Sequence, residues 1–77
     1  MEFDYAKLNG RIREVCGTQA EFSDKMGLSE RSVSMKLNNK IAFKQKEIVK
    51  AVEVLNIEAC DIANYFFAFK VQNNELR

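Results

Sequence analysis

Residues 18–38 of the chain are TQAEFSDKMGLSERSVSMKLN, and they predict two short helices joined by a tight turn. Thr18 and Glu21 form a T-x-x-E capping box, in which the hydroxyl accepts from an N–H that the first helical turn leaves unpaired. Gly27 ends this helix, because glycine adopts the left-handed backbone conformation at little cost. Ser29 can then cap a second helix two residues later. We therefore expect helices over residues 19–26 and 30–37.

Apolar residues at three- and four-residue steps predict three further helices, over residues 4–16, 45–55 and 58–70. The polar tail, residues 72–77, is expected to fray. The expected core and anchor positions are Tyr5, Leu8, Ile12, Val15, Cys16, Ala20, Phe22, Met26, Val33, Leu37, Ile41, Phe43, Ile48, Val49, Val52, Leu55, Ala59, Ile62, Ala63 and Phe66.

The length and composition favour one small all-helical domain, residues 1–71, followed by that tail. The chain has 77 residues, 47% of them hydrophobic, with three glycines and no proline to interrupt helices. A core of this size gives limited stability, which dimerisation would increase.

The net charge is only +1, but the charges are unevenly distributed. Residues 28–46 contain five basic side chains and one acidic side chain, Glu30. A tightly joined helix pair can place its second helix in the DNA major groove, and this basic window begins where that helix begins. Contact with DNA phosphates is therefore favoured over the alternative, a solvated lysine face. The basic residues are Arg31, Lys36, Lys40, Lys44 and Lys46.

The sequence lacks the residues that an enzyme or a metal centre of this size would need. It has no histidine, no CxxC pair and no phosphate-binding glycine loop, and Glu21 with Asp24 fits an exposed helix face. Cys16 and Cys60 lie far apart on predicted apolar faces, as structural thiols of a reducing cytosol do. We expect no catalysis, metal, cofactor or small-molecule ligand. Neither a signal peptide nor a membrane span is expected.

The turn and its flanks resemble the lambda-repressor-like, Cro-type helix-turn-helix family, most closely small repressor and Cro-like regulators of temperate phages and prophages. That resemblance implies five compact helices, with the helix-turn-helix at helices 2 and 3. It also implies a cytoplasmic, nucleoid-associated location in a bacterial host cell. The chain departs from the family pattern at Ser23, where alanine is usual, and at Lys36, where the family buries an apolar residue, so the end of helix 3 could be rotated or 3₁₀-like. The matching residues are Gln19, Phe22, Met26, Gly27, Leu28, Ser29, Val33 and Asn38.

The resemblance also implies roles for individual side chains. The family's base-reading positions map onto Glu30, Arg31, Ser34 and Met35. The guanidinium fork of Arg31 matches guanine O6 and N7, and Glu30 could accept from cytosine N4. Ordinary exposed charges are the alternative for both. Candidate phosphate contacts are Gln19, Lys36, Asn38, Lys40 and Lys44.

Four aromatic residues lie within the five-residue segment 65–69, and they cannot all face one core from a single helix. With Phe66 in the core, we expect Tyr65, Phe67 and Phe69 to form a homodimer contact, since interfaces favour aromatic residues. A symmetric dimer would match two half-sites one DNA turn apart. The alternative is packing near Phe3 and Tyr5 within one chain.

Two functions therefore stand at the sequence level. The first is a sequence-specific, double-stranded DNA-binding transcriptional regulator that inserts helix 3 into the major groove of an operator. The alternative is a protein-interaction module of the same fold that binds and modulates another repressor. The modest net charge and the presence of Glu30 on helix 3 keep this alternative open.

Overall fold

A computed structural model describes residues 2–70, and within them the chain forms five α-helices and no β-strand beyond a single-residue bridge between Phe3 and Phe69. The all-helical prediction is confirmed, whereas the predicted fraying of residues 72–77 lies outside the described residues. No helix within residues 2–70 has the length and apolar character needed to cross a membrane. The helices are α1 (Ala6–Cys16), α2 (Gln19–Met26), α3 (Glu30–Leu37), α4 (Gln45–Leu55) and α5 (Ile62–Phe66), and a 3₁₀ turn (Ala59–Asp61) precedes α5.

The bounds of α2, α3 and α4 are those predicted, but the outer helices are shorter than predicted. Helix α1 begins at Ala6, whose N–H donates to Asp4 Oδ1 at 2.9 Å. Helix α5 ends at Phe66 and does not reach Lys70. The residues after it turn back to pair with the start of the chain, where the N–H of Lys70 donates to the C=O of Glu2 at 3.0 Å. Tertiary pairing therefore replaces the predicted last helical turn.

The core lies between α1, α2, α3 and α4 and is closed by Phe66 of α5. Several predicted core residues are instead on the surface. The helices bury narrower stripes than their apolar residues suggest, and Ile41 is exposed in the loop between α3 and α4. In α4, Ala51 and Leu55 are buried, while Val49 falls on the opposite arc and is 55% exposed. The misassigned residues are Val15, Ala20, Ile41, Val49, Ala59 and Ala63, and Cys60 is exposed as well. The buried apolar residues are Tyr5, Leu8, Ile12, Phe22, Met26, Val33, Leu37, Ala51, Leu55, Ile57 and Phe66.

One arginine fastens α1 to the end of α4. Arg11 Nε donates to the C=O of Leu55 at 2.9 Å, and Nη2 donates to the C=O of Asn56 at 3.3 Å. These carbonyls lack intrahelical partners at a helix C-terminus, and a cation there also interacts favourably with the helix dipole. The contact holds α4 against α1 and so supports the platform on which α2 and α3 rest.

Candidate nucleic-acid and protein-interaction surface

The N-terminal caps of α2 and α3 and the turn between the two helices follow the sequence prediction except at one bond. Thr18 Oγ1 accepts from the N–H of Glu21 at 3.1 Å, and Ser29 Oγ accepts from the N–H of Ser32 at 3.1 Å. Gly27 has a φ of 73°, in the left-handed region. Only one half of the predicted capping box forms within residues 2–70, since no bond joins the Glu21 carboxylate to the N–H of Thr18. Gly27 and the Ser29 cap set the direction in which α3 leaves α2, whereas the Thr18 cap starts α2.

The departure at Ser23 is accommodated by a local hydrogen bond. The side chain is 2% exposed, and its hydroxyl donates to the C=O of Gln19 at 2.9 Å. A buried hydroxyl therefore has a partner one turn back along the same helix, which removes most of the cost of its burial.

The predicted base-reading residues lie along one accessible side of α3. Glu30 and Arg31 are exposed, and Ser34 and Met35 are half-buried. Ser34 is engaged by its neighbour, because Asn38 Nδ2 donates to its C=O at 2.8 Å and to its Oγ at 3.3 Å. Two opposite charges at the start of α3 are thus the groups most open to a partner.

The phosphate-contact prediction for Lys36 is wrong, because its ammonium lies inside the fold. Lys36 is 5% exposed; its Nζ lies 2.9 Å from Glu47 Oε1 and donates to the C=O of Ala42 at 3.2 Å. Helix α3 stays α-helical to Leu37, so Lys36 takes the interior position and is not rotated outward. The other phosphate candidates, Gln19, Asn38, Lys40 and Lys44, are exposed.

The Glu47 carboxyl is ionised although its burial disfavours the charged form. Burial raises the pKa of this carboxyl and is the largest single influence on it. The N–H of Lys44 donates to Glu47 Oε1 at 2.8 Å, and the Lys36 ammonium adds a hydrogen bond and a favourable charge. Together these contacts outweigh burial and hold the pKa of Glu47 below its usual value. The same carboxylate supplies a side-chain cap at the N-terminus of α4.

The internal pairing of Lys36 changes the electrostatics of the α2–α3 surface. With Lys36 neutralised by Glu47, the exposed charges of residues 18–38 give a net charge of −1. In the window of residues 28–46 the net charge falls from +4 to +3, and the remaining excess lies beyond α3, at the exposed residues Lys40, Lys44 and Lys46. A surface that binds a duplex through its phosphates is usually basic, because phosphate contacts supply most of the affinity. The exposed charged residues are Glu21, Asp24, Lys25, Glu30 and Arg31.

The aromatic segment packs against Phe3, near the start of the described residues. The Phe3 ring lies 5.1 Å from Phe69 in a stacked arrangement and 6.2 Å from Phe67 edge-on, and Phe69 and Phe67 stay 52% and 48% exposed. Tyr65 is half-buried, with Lys7 Nζ 4.8 Å from its ring centroid. The alternative of packing near Phe3 is thus present in the structure, and a homodimer contact stays a prediction.

Sequence reasoning missed Asn39, which joins α3 to the start of the chain. Its Oδ1 accepts from the N–H of Phe3 at 3.0 Å, and its Nδ2 donates to the C=O of Phe3 at 3.0 Å. Asn39 has a φ of 62°, in the left-handed region that asparagine tolerates better than most residues. No local signal indicates the long-range contact.

Three possible metal donors lie together at the 3₁₀ turn. The ligand atoms of Glu58, Cys60 and Asp61 are within 4.8 Å of one another. Cys60 Sγ donates to Glu58 Oε1 at 3.9 Å, and Asp61 Oδ1 accepts from Asn64 at 3.4 Å. These side chains bind neighbours in an exposed turn, and nothing in their geometry assigns them to a metal.

Comparisons with known proteins place the chain beside a phage regulator. A family model described as "Protein of unknown function (DUF739)" matches residues 1–69. The chain is also similar to a solved protein, the modulator of repression (MOR) of the temperate bacteriophage TP901-1 from Lactococcus lactis. The two are 54% identical with a TM-score of 0.77, over 94% of this chain and 97% of that one. No curated protein matches significantly.

Proposed function

The chain belongs to the DUF739 family, and on that premise we propose that it is a protein-interaction module that binds a phage repressor and modulates repression. The observation in its favour is the 54% identity, over nearly the whole of both chains, with a modulator of repression. Such a protein needs a rigid folded surface and no catalytic group. It would act where the repressor acts, in the cytoplasm of the bacterial host.

The charge distribution supports this proposal over operator reading by α3. The exposed α2–α3 surface has a net charge of −1, and Lys36 is committed to Glu47. Without an excess of basic side chains on α2 and α3 themselves, a duplex at this surface gains little from counterion release, and the exposed Lys40, Lys44 and Lys46 lie beyond α3. Protein partners place no such demand on the net charge, because opposite charges on both sides of an interface set specificity and association rate.

The resemblance to lambda-repressor-like proteins is retained within this proposal. We propose that α2 and α3 form a helix-turn-helix unit whose fold is shared with DNA-binding regulators. In this chain that unit is part of the folded scaffold. The predicted base-reading side chains contact a protein partner or solvent and do not read DNA bases; they are Glu30, Arg31, Ser34 and Met35. Sequence-specific operator binding by the chain alone is the competing hypothesis.

Two binding measurements on the purified chain separate these functions. The first is calorimetric titration into the repressor of bacteriophage TP901-1, used as the probe because that phage encodes the similar modulator. The second is selection from random duplexes at physiological salt. We expect repressor binding, and no enriched DNA sequence with the chain alone. An enriched operator together with absent repressor binding would reverse the assignment.

Arg31 provides a matched control for the DNA experiment. If the chain reads an operator by itself, Arg31→Ala should lower affinity by about 1–3 kcal/mol and relax the preference at one base pair, whereas Lys40→Ala should weaken all duplexes alike. Under the proposed function, the wild-type chain binds DNA only weakly and without sequence preference. Neither variant should then change a base preference.

A further inference from the structure

The two ends of the described chain form a short antiparallel ribbon of residues 2–4 and 68–70, here called the terminal ribbon. The N–H of Asp4 donates to the C=O of Ala68 at 2.7 Å, and the N–H of Lys70 donates to the C=O of Glu2 at 3.0 Å. These two bonds flank the Phe3–Phe69 bridge, which is therefore a non-hydrogen-bonded pair. The backbone N–H and C=O of Phe3 and of Phe69 consequently point away from the ribbon, toward its two opposite edges.

One edge of the terminal ribbon is closed by a side chain. The amide of Asn39 both accepts from the N–H and donates to the C=O of Phe3, at 3.0 Å in each case. It thus pairs with Phe3 as a neighbouring strand would. On the opposite edge, no group within residues 2–70 bonds the N–H or C=O of Phe69. The ribbon therefore has a closed edge at Phe3 and an open edge at Phe69.

The two faces of the terminal ribbon also differ. Phe3 and Phe69 stack on one face, beside Phe67. On the other face, Lys70 Nζ lies 3.0 Å from Glu2 Oε1. An extended segment at the open edge would therefore meet phenylalanine rings on one side and a charged pair on the other. Its apolar and polar residues would have to alternate.

We propose that the open edge at Phe69 accepts an extended segment of the repressor as an added β-strand, an interaction that rests on the proposed function. Main-chain bonds to Phe69 would supply affinity, and alternate apolar side chains of the segment would cover Phe67 and Phe69.

The small size of the aromatic face favours such a segment over a second copy of the chain. A phenylalanine buries at least about 150 Å², so two half-exposed rings offer about 150–200 Å². A stable interface needs about 800 Å² from each partner. Strand addition depends less on apolar area, because backbone hydrogen bonds provide part of the binding.

The donor at the open edge can be removed without removing the ring. A chain of 77 residues is accessible to chemical synthesis, so full-length protein can be made with N-methylphenylalanine at position 69. The matched control is Phe69→Leu, which keeps the N–H and an apolar side chain. Both are titrated into the TP901-1 repressor, and hydrogen exchange of the Phe69 N–H is followed in the free and bound wild-type chain. Amide spectra check that the Asn39–Phe3 contact persists in each variant.

We expect N-methylation to weaken repressor binding about tenfold, and Phe69→Leu to change it less than threefold. Exchange of the Phe69 N–H should slow at least tenfold in the complex. Unchanged affinity after N-methylation, with rapid exchange in the complex, would overturn the edge proposal while leaving the proposed function standing. Failure of the wild-type chain to bind the repressor would overturn both.

Two further outcomes also decide against a repressor segment. If the Phe69 N–H of the free chain becomes protected as protein concentration rises, a second copy occupies the edge. If it is protected at every concentration, the chain's own remaining residues cover it. Either result would contradict the proposal that a repressor segment occupies the open edge.

Discussion

The ammonium of Lys36 lies 2.9 Å from Glu47 Oε1, and the same oxygen accepts from the N–H of Lys44 at 2.8 Å. A single carboxylate oxygen therefore caps α4 and neutralises a lysine buried on α3. Both groups lie largely out of water, since the Lys36 side chain is 6% exposed and the Glu47 side chain is 15% exposed. The pair fixes the loop between α3 and α4 and removes one positive charge from the α2–α3 surface.

The Lys36–Glu47 pair should show strong energetic coupling. Lys36→Met is expected to lower the free energy of unfolding by about 3 kcal/mol, because it leaves a partly buried carboxylate without its cation. Glu47→Gln should be similarly costly, since it strands the ammonium. The double variant Lys36→Met with Glu47→Gln should lie close to wild type, because an apolar or neutral replacement avoids desolvating two charges. Urea unfolding of the four proteins measures this cycle, and additive losses would contradict it.

The same pair should make stability depend on pH. The folded-state pKa of Glu47 lies below its ordinary value of 4.5, so its contribution is fully present above about pH 4.5. It is lost as the pH falls through the folded-state pKa. We expect the stability difference between wild type and Glu47→Gln to be largest near pH 7 and to shrink below pH 4.5. Urea unfolding at pH 7, 4.5 and 3 tests this, and a difference independent of pH would assign the effect to packing alone.

Local signals in the sequence predicted the bounds of α2, α3 and α4. Thr18, Gly27 and Ser29 act within one helical turn, and the structure contains the caps and the left-handed backbone they predict. Contacts between distant residues could not be predicted in this way. The lysine at position 36 suggested an exposed cation, because nothing near it in sequence reveals its partner on α4. The family's apolar preference at that position was the one signal for burial.

The end of α5 could not be predicted for a related reason. The apolar spacing of residues 58–70 is compatible with a helix, but the pairing of Phe69 with Phe3 competes with it. Helical propensity adds only a few tenths of a kcal/mol per residue, so stacked rings and two hydrogen bonds between residues 2–4 and 68–70 outweigh one further turn. The segment's four aromatics correctly indicated that its side chains face more than one environment.

Asn39 should control the order of the N-terminus. Asn39→Gly keeps the left-handed backbone but loses both bonds to Phe3, and we expect it to lower the free energy of unfolding by about 1–2 kcal/mol. Asn39→Ala should lose about 1 kcal/mol more, since alanine is strained at a φ of 62°. Hydrogen exchange at the N–H of Phe3 should quicken in both variants. Unchanged hydrogen exchange at the N–H of Phe3 would show that Asn39 does not hold the terminal ribbon in place.

Replacing Phe67 should cost much less stability than replacing its neighbour Phe66. Phe67 is 48% exposed and meets Phe3 only edge-on, so Phe67→Ala should lower the free energy of unfolding by about 1 kcal/mol or less. The matched core variant Phe66→Ala should lose about 3–5 kcal/mol, because Phe66 is 2% exposed and its removal leaves a cavity. Thermal unfolding of the two variants gives the comparison. Equal losses would mean that Phe67 packs as core and is not available to a partner.

The glycines offer a test of how the α2–α3 turn is held. Gly27 has a φ of 73°, and a Cβ placed there would meet no atom within 4 Å, so the cost of Gly27→Ala is conformational and not steric. We expect a loss of about 1 kcal/mol, with a smaller loss for Gly27→Asn, which tolerates this conformation better.

Gly10 is the control, because it lies inside α1 with equally open surroundings and without a positive φ. There, Gly10→Ala should raise the free energy of unfolding by about 0.4–1 kcal/mol, through the reduced entropy of the unfolded chain. Urea unfolding measures both changes in the free energy of unfolding. A loss at Gly27 and a gain at Gly10 would identify the left-handed backbone at Gly27 as the feature on which the turn depends. A stabilising Gly27→Ala would show that the turn can reach its geometry without glycine.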